Sequence, residues 1–271
     1  MPELPEVETT RLGLLPAVRG KAIAGVTVRS RKLRWPVPEN LPRILRGQTI
    51  RDIARRGKYL LWQCDRGFLL VHLGMSGSLC VESESRQPGK HDHVLVALSS
   101  GATIRYNDPR RFGAILWIPG MSRAHPLLDS LGPEPLGEEF SAEHLYRESR
   151  GRTLAVKPFI MDAKVVVGVG NIYASEALFH AGIHPATAAG RISRARYARL
   201  AEAIRRTLAS AIAAGGSSLR NYVHADGAPG YFQLATHCYD REGEPCRVCN
   251  APIRTLRQGQ RSTFFCPRCQ K

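Results

Sequence analysis

Two residues at the start of this chain are equipped for covalent chemistry. Pro2 follows Met1, and removal of Met1 leaves a free secondary amine at the terminus. An α-amino group titrates at roughly 7.7–8.0, so much of it is neutral and nucleophilic near pH 7. Lysine, at roughly 10.4, needs desolvation or a neighbouring cation to reach that state. A secondary amine that attacks an aldehyde carbon yields a cationic iminium, an electron sink for elimination. Glu3 puts a carboxyl group within reach of the same centre. For an isolated octapeptide a disordered start with a Pro-Glu turn is the better reading. The rest of the chain decides between the two.

The firmest motif is Cys246-x2-Cys249-x16-Cys266-x2-Cys269. Two such knuckles place four sulfurs on one tetrahedral zinc at roughly 2.3 Å. With all four positions filled, none remains for water, so the ion is structural. Redox pairs or disulfides would suit a secreted chain, and the start lacks the basic-then-apolar order of a signal peptide. Arg254, Arg257, Gln260 and Arg261 lie between the knuckles, where a zinc-held hairpin presents them to phosphates.

Other constellations are weaker alone. Residues 72–77 (His-Leu-Gly-Met-Ser-Gly) and 108–113 (Asp-Pro-Arg-Arg-Phe-Gly) each follow an expected strand. Met75, Arg110 and Phe112 on neighbouring loops can enter a base stack left open by a flipped nucleotide. Core packing is the commoner fate of a lone Met or Phe. Residues 165–176 (Val-Val-Val-Gly-Val-Gly-Asn-Ile-Tyr-Ala-Ser-Glu) suggest tight turns at Gly168 and Gly170 and a helix capped by Asn171. Backbone N–H groups there can grip a phosphate, and a turn made only for packing fits equally well. Lys58, Lys157 and the pair His91 and His93 are further basic candidates. The histidines have metal-like spacing but no evident third ligand.

The elements that must position these residues fall into blocks. Residues 5–19 read as a helix that docks the terminus. Segments 22–30, 49–55, 59–64, 68–73, 93–98, 103–106 and 114–118 read as short strands of a sandwich or barrel. Two Pro and two Gly in 131–137 mark a linker. Helices follow at 141–149, 160–166, 172–181 and 193–214, the last carrying Leu200, Ile204, Leu208 and Ile212 every four residues. The division expected is 1–130, a linker at 131–140, a helical domain at 141–236, and a four-cysteine finger at 237–271.

Composition narrows the partner. Of the 271 residues, Lys and Arg number 39 against 23 Asp and Glu, a formal net charge of +16. Such an excess points to a polyanion, nucleic acid before membrane. No apolar run reaches roughly 18 residues, and no basic amphipathic anchor stands out. The sequence shows neither a P-loop nor a Gly-x-Gly-x-x-Gly turn. The three scattered cysteines fit a reducing, cytoplasmic setting.

The start 1–9, the loops at 72–77 and 106–113, residues 90–93 (Lys-His-Asp-His), the stretch 168–176 and the cysteine tail occur in one order across the chain. In this the chain resembles the bacterial formamidopyrimidine-DNA glycosylases, 8-oxoguanine glycosylase/AP lyases of base-excision repair. The resemblance implies an α+β protein: a two-layer β-sandwich, a helix–two-turn–helix domain and a zinc finger, with damaged duplex DNA as partner and a monomeric state. It implies Pro2 as Schiff-base nucleophile, Glu3 as proton donor and relay, and Lys58 near the reaction centre. Met75, Arg110 and Phe112 match the void-filling set, with Arg110 facing the orphaned cytosine. Asn171 and Arg261 match the pair that holds phosphates around the lesion. His91, Arg111, Lys157 and Tyr173 match further DNA contacts, and residues 217–231 a lid over the everted base. One structural zinc is the only cofactor implied. Two rivals remain: an endonuclease VIII-like glycosylase for oxidised pyrimidines, and a non-catalytic zinc-ribbon DNA-binding protein. The Leu4-Pro5 start and the Asp-Pro-Arg-Arg-Phe loop argue against the first; the second has no use for Pro2.

Overall fold

The computed structural model describes residues 2–82, 87–216 and 236–271. Two compact units divide at Asp129/Ser130. Residues 214–216 return to the first unit, and the second resumes in the C-terminal segment.

The first unit begins with α1 (Leu4–Val18) and builds two antiparallel four-stranded sheets. One sheet has the order β1 (Ile23–Val28), β6 (Asp92–Leu98), β7 (Thr103–Asn107), β5 (Ser78–Glu82). The other has the order β2 (Ile50–Arg56), β3 (Tyr59–Cys64), β4 (Gly67–His72), β8 (Ala114–Pro119). Short runs rich in Val, Ile and Leu suit a pleated, buried surface. Inward residues of both layers share one core: Trp62, Leu69 and Val71 with Leu79, Val94, Val96 and Ile104. Val7, Leu14 and Val18 of α1 join it. Of the sandwich and barrel that the strand spacing left open, the structure has the sandwich. Sequence periodicity missed β5 and two short helices, α2 (Leu41–Leu45) and α3 (Pro126–Asp129). Their pattern is too short to register against tertiary burial.

The second unit carries α4 (Ala142–Ser149), α5 (Val156–Ile160), α6 (Asn171–Ala181) and α7 (Arg194–Ala213). Ser141 caps α4, its hydroxyl accepting the His144 N–H at 3.1 Å. A helix over 160–166 does not form. It stops at Ile160, and the Asp162 carboxylate accepts the Lys164 N–H at 2.9 Å, fixing a turn. The β-branched run after it is buried without helical pitch. Asn171 is the first helical residue of α6, not its cap; Gly170 stands at the cap. Gly182, at φ +66, closes α6, with Ile183 N–H bonding Leu178 O at 3.0 Å. The stretch read as a linker is tied into this unit, Gly132 N–H donating to Ala163 O at 2.7 Å. The hairpin β9 (Arg254–Gln258) and β10 (Arg261–Phe265) completes the unit. Its two-residue turn has Gly259 at φ +59, the first-position glycine of a type II′ turn. No helix among the described residues is long and apolar enough to cross a membrane.

Candidate nucleic-acid interface and metal centre

The start of the chain is fixed, not frayed. Pro2 and Glu3 are buried, and Glu3 is the N-cap of α1. A capping box closes there: the Glu6 carboxylate accepts the Glu3 N–H at 2.8 Å, and the Glu3 side chain accepts the Glu6 N–H. Further along, Glu8 pairs with Arg11 at 2.7 Å and with Arg55 of β2 at 2.9 Å. Burial works to raise the Glu8 carboxyl, but the two guanidiniums outweigh it and hold it below its ordinary value. Arg11 also donates to Ile53 O at 3.2 Å. These contacts bolt α1, and with it Pro2, to the sheet edge that ends in the Gly57-Lys58 turn.

Asp108 organises the loops of the first unit. It is fully buried. Its Oδ1 accepts the Ser76 hydroxyl at 2.9 Å; its Oδ2 accepts the Gly113 N–H at 2.9 Å and the Tyr106 hydroxyl at 3.3 Å. Its N–H donates to His91 O at 3.0 Å, and its carbonyl meets His93 Nε2 at 2.9 Å. One residue thus joins the loops bearing Met75, His91 and Arg110. It also settles His93 as a structural residue, since its ring is buried against that carbonyl. Gly74 and Gly113 allow the close approach: a Cβ at Gly113 would stand 1.8 Å from the Tyr106 hydroxyl oxygen, and one at Gly74 2.5 Å from the Gly113 nitrogen.

The side chains held this way face outward. Met75 and Phe112 are 40% and 44% exposed. The Arg110 guanidinium lies 4.9 Å over the Phe112 ring. Arg111 is exposed at φ +59, and His91 is half-buried. Lys58, half-buried, acts electrostatically on His72. Burial first, then the Lys58 and Arg34 charges, pushes the His72 imidazole down to about 4. The ring is neutral at pH 7, and its Nδ1 accepts the Gly74 N–H at 3.1 Å.

In the second unit the organiser is a cation. Lys157 is 1% exposed, and its Nζ donates to Asn171 Oδ1 at 2.7 Å, Thr263 Oγ1 at 2.8 Å and Ser262 O at 3.2 Å. Asn171 Nδ2 donates to Ser262 O at 3.1 Å. α5, α6 and the finger hairpin therefore meet on one ammonium group. A pocket of about 570 Å³ opens beside it, lined by Lys157, Met161, Asn171, Gln260, Arg261 and Thr263. Arg261 is exposed at its rim. Tyr173, in the first turn of α6, is buried. Sequence reasoning gave Lys157 and Tyr173 as further DNA contacts, and gave no role to Asp108, Ser76 or Thr263. Only the quoted Asp-Pro-Arg-Arg-Phe motif hinted at Asp108. The expected lid at 217–231 lies outside the described residues.

The four cysteines converge. Cys246 Sγ lies 3.9 Å from Cys269 Sγ, and Cys249 Sγ 3.4 Å from Cys266 Sγ; all four sulfurs fall within 4.8 Å of one another. Tetrahedral zinc at its usual thiolate distance needs sulfurs about 3.8 Å apart. Backbone N–H groups of Val248 and Cys269 point at Cys246 and Cys266 sulfurs, as they do around bound thiolates. The residues fit one structural zinc.

Three family models match in order. The formamidopyrimidine-DNA glycosylase N-terminal domain covers residues 1–115, the H2TH domain of the same glycosylase 131–223, and the zinc finger found in FPG and IleRS 243–271. The chain belongs to the formamidopyrimidine-DNA glycosylase family. A formamidopyrimidine-DNA glycosylase from Methylococcus capsulatus is 55% identical over 271 residues, all of both chains. Among solved structures, a Lactococcus lactis FPG mutant bound to Fapy-dG-containing DNA superposes with a TM-score of 0.92 at 34% identity, covering 100% of each chain. The Lactococcus lactis Fpg bound to abasic-site DNA gives 0.92 at 33%, again over 100% of each.

Two outcomes follow. Cys266→Ser should lose zinc and duplex affinity together, because thiolate ligation and folding of so small a module are coupled. Metal analysis beside a DNA-binding titration reads this, and parental affinity in the metal-free variant would break the link. Asp108→Ala should lower the urea unfolding free energy by about 2 kcal/mol or more, since donors to a buried carboxylate are left unmade. It should also cut base excision more than cleavage at a ready-made abasic site. Equal losses in the two assays would remove Asp108 from the loop-setting role.

Proposed function

We propose that this protein is a base-excision repair DNA glycosylase that removes oxidised purines from duplex DNA and then cleaves the abasic site. Membership of the formamidopyrimidine-DNA glycosylase family over the full chain, with a buried Pro2-Glu3 pair at a bolted helix start, carries this reading. The match of residues 1–115 to the glycosylase N-terminal domain favours it over a non-catalytic zinc-ribbon protein, which needs no such domain. The net charge of +16 suits a polyanionic duplex, and the work on genomic DNA suits a cytoplasmic location in a bacterium.

The chemistry proposed runs through this chain's own groups. The damaged base leaves the stack at a cost of a few kcal/mol, and Met75, Arg110 and Phe112 fill the space it vacates. Arg110 turns its donors to the acceptors of the orphaned cytosine. The Pro2 nitrogen forms a bond to C1′ as the bond to the base breaks. Glu3 supplies the proton that opens the sugar, leaving an iminium. Loss of a C2′ proton then expels the 3′ phosphate, and a second elimination expels the 5′ phosphate. Asn171, Arg261, His91 and Arg111 hold backbone phosphates, and Lys58 steadies the charge near the reaction centre. In this reading Lys157 and Tyr173, both buried, support the DNA-facing residues: Lys157 orients Asn171 and the hairpin, and Tyr173 packs α6.

Borohydride added during turnover should reduce the iminium and lock protein to DNA, the adduct mapping to Pro2 by peptide mass. A chain extended upstream of Met1 should still bind damaged DNA, yet lose excision, cutting and trapping, because the Pro2 nitrogen becomes a tertiary amide. Trapping at the normal rate by the extended chain, or an adduct at Lys58, would reassign the nucleophile. Separately, Arg110→Ala should erode discrimination between cytosine and adenine opposite the lesion, with abasic-site cleavage less affected. Unchanged discrimination in paired-duplex kinetics would move that role to another residue.

A further inference from the structure

One cluster on α6 takes no part in the chemistry above. Glu176 and His180 stand four residues apart, so both side chains leave the helix on one face. His237 reaches that face from the segment that leads into the zinc finger. The His180 and His237 ring centroids lie 4.5 Å apart, and His237 Nδ1 is 3.6 Å from Glu176 Oε2. One ligating atom from each of the three falls within 4.8 Å of the other two.

The carboxylate is held in advance. Glu176 is 1% exposed, and its Oε1 accepts the Cys238 and Tyr239 N–H groups at 3.0 and 2.8 Å. Its Oε2 accepts one backbone donor, the His237 N–H at 2.7 Å, so this oxygen retains acceptor capacity on the histidine side. The imidazoles are accessible: His180 is exposed and His237 half-buried. The Phe179 ring backs His237 at 5.3 Å. The cluster thus has one rigid anionic ligand and two reachable nitrogen ligands.

We propose that Glu176, His180 and His237 form a second metal site for a borderline divalent cation such as zinc or nickel. Two imidazoles and one carboxylate are the donor set these ions take. Ligand distances of roughly 2.0–2.2 Å ask the nitrogens and oxygen to close by about 1 Å, a shift within rotamer adjustment of the two histidines. Buried N–H donors fix the carboxylate, as supporting shells do at metal centres. Three protein ligands leave a position for water, and the two imidazoles are reachable from solvent, so a chelator can approach this ion in a way it cannot approach one enclosed by four thiolates. It ties α6, which begins at Asn171, to the chain shortly before Cys246.

The test uses the full chain with its finger zinc in place. Zinc and, separately, nickel are titrated in, the protein is desalted, and bound metal is counted by elemental analysis. The expected result is one slowly exchanging zinc plus one further ion that a mild chelator strips. His180→Ala and His237→Gln should each lose the further ion and keep the finger zinc; the second variant retains the backbone N–H that Glu176 accepts. Cobalt added to the zinc-loaded protein should show weak d–d bands without thiolate charge transfer. A single ion per chain at saturating nickel overturns the site and leaves His237 and Glu176 joined by the backbone hydrogen bond. A further ion that survives either substitution, or cobalt bands with thiolate character, overturns it too.

Discussion

A single buried carboxylate sets the geometry of the first unit's exposed residues. Asp108 accepts from Ser76, Tyr106 and Gly113 while its backbone engages His91 and His93. Loops carry unsatisfied backbone groups and drift unless those groups are met. Here one acceptor-rich side chain meets donors from three segments, and charge-assisted bonds are about twice as strong as neutral ones. Exposed Met75, Arg110 and Phe112 can therefore stand away from the core without wandering. Glycines at 74 and 113 are required because backbone and hydroxyl oxygens fill the space a Cβ would take.

The second unit solves the same problem with opposite sign. Lys157 is buried, and its three protons have acceptors on α6 and the hairpin. Thr263, one of those acceptors, donates onward to Gln258 at 3.0 Å, whose amide reaches Pro185 O at 3.1 Å. Exposed Arg261 thus sits on a hairpin clamped at one end by this network and at the other by the cysteine cluster. Asn171, at the start of α6, is set by the same ammonium. Each unit therefore presents its outward polar residues from a buried charge whose hydrogen bonds are made internally, the arrangement under which a buried charge is tolerated.

The N-terminus completes this pattern. The amine role proposed for Pro2 requires rigidity, yet chain ends fray. The Glu3–Glu6 capping box ties the first residues to α1, and the Glu8, Arg11 and Arg55 contacts tie α1 to β2. A carboxyl at residue 3 is thereby fixed beside residue 2, where the proposed proton transfer needs it.

Much of this was legible in the residues themselves. The cysteine spacing determined a zinc site because each knuckle is local: four residues of chain place two sulfurs. Alternating apolar runs determined a β-domain, sandwich or barrel, since burial of one face has period two; two separate four-stranded sheets on one core decided for the sandwich. The ordered motifs determined the family. The sandwich pairing, the two buried hubs and the burial of Tyr173 were decided only in three dimensions. Asp108 reads as a loop acidic residue until Ser76, 32 residues away, arrives at its oxygen. Lys157 reads as a surface base until Thr263 closes over it, 106 residues on. The helix expected over 160–166 failed because a side-chain turn at Asp162 outcompeted the apolar period. Sequence determines what is local, covalent or periodic; long-range hydrogen bonds to buried charges depend on which segments the fold brings together.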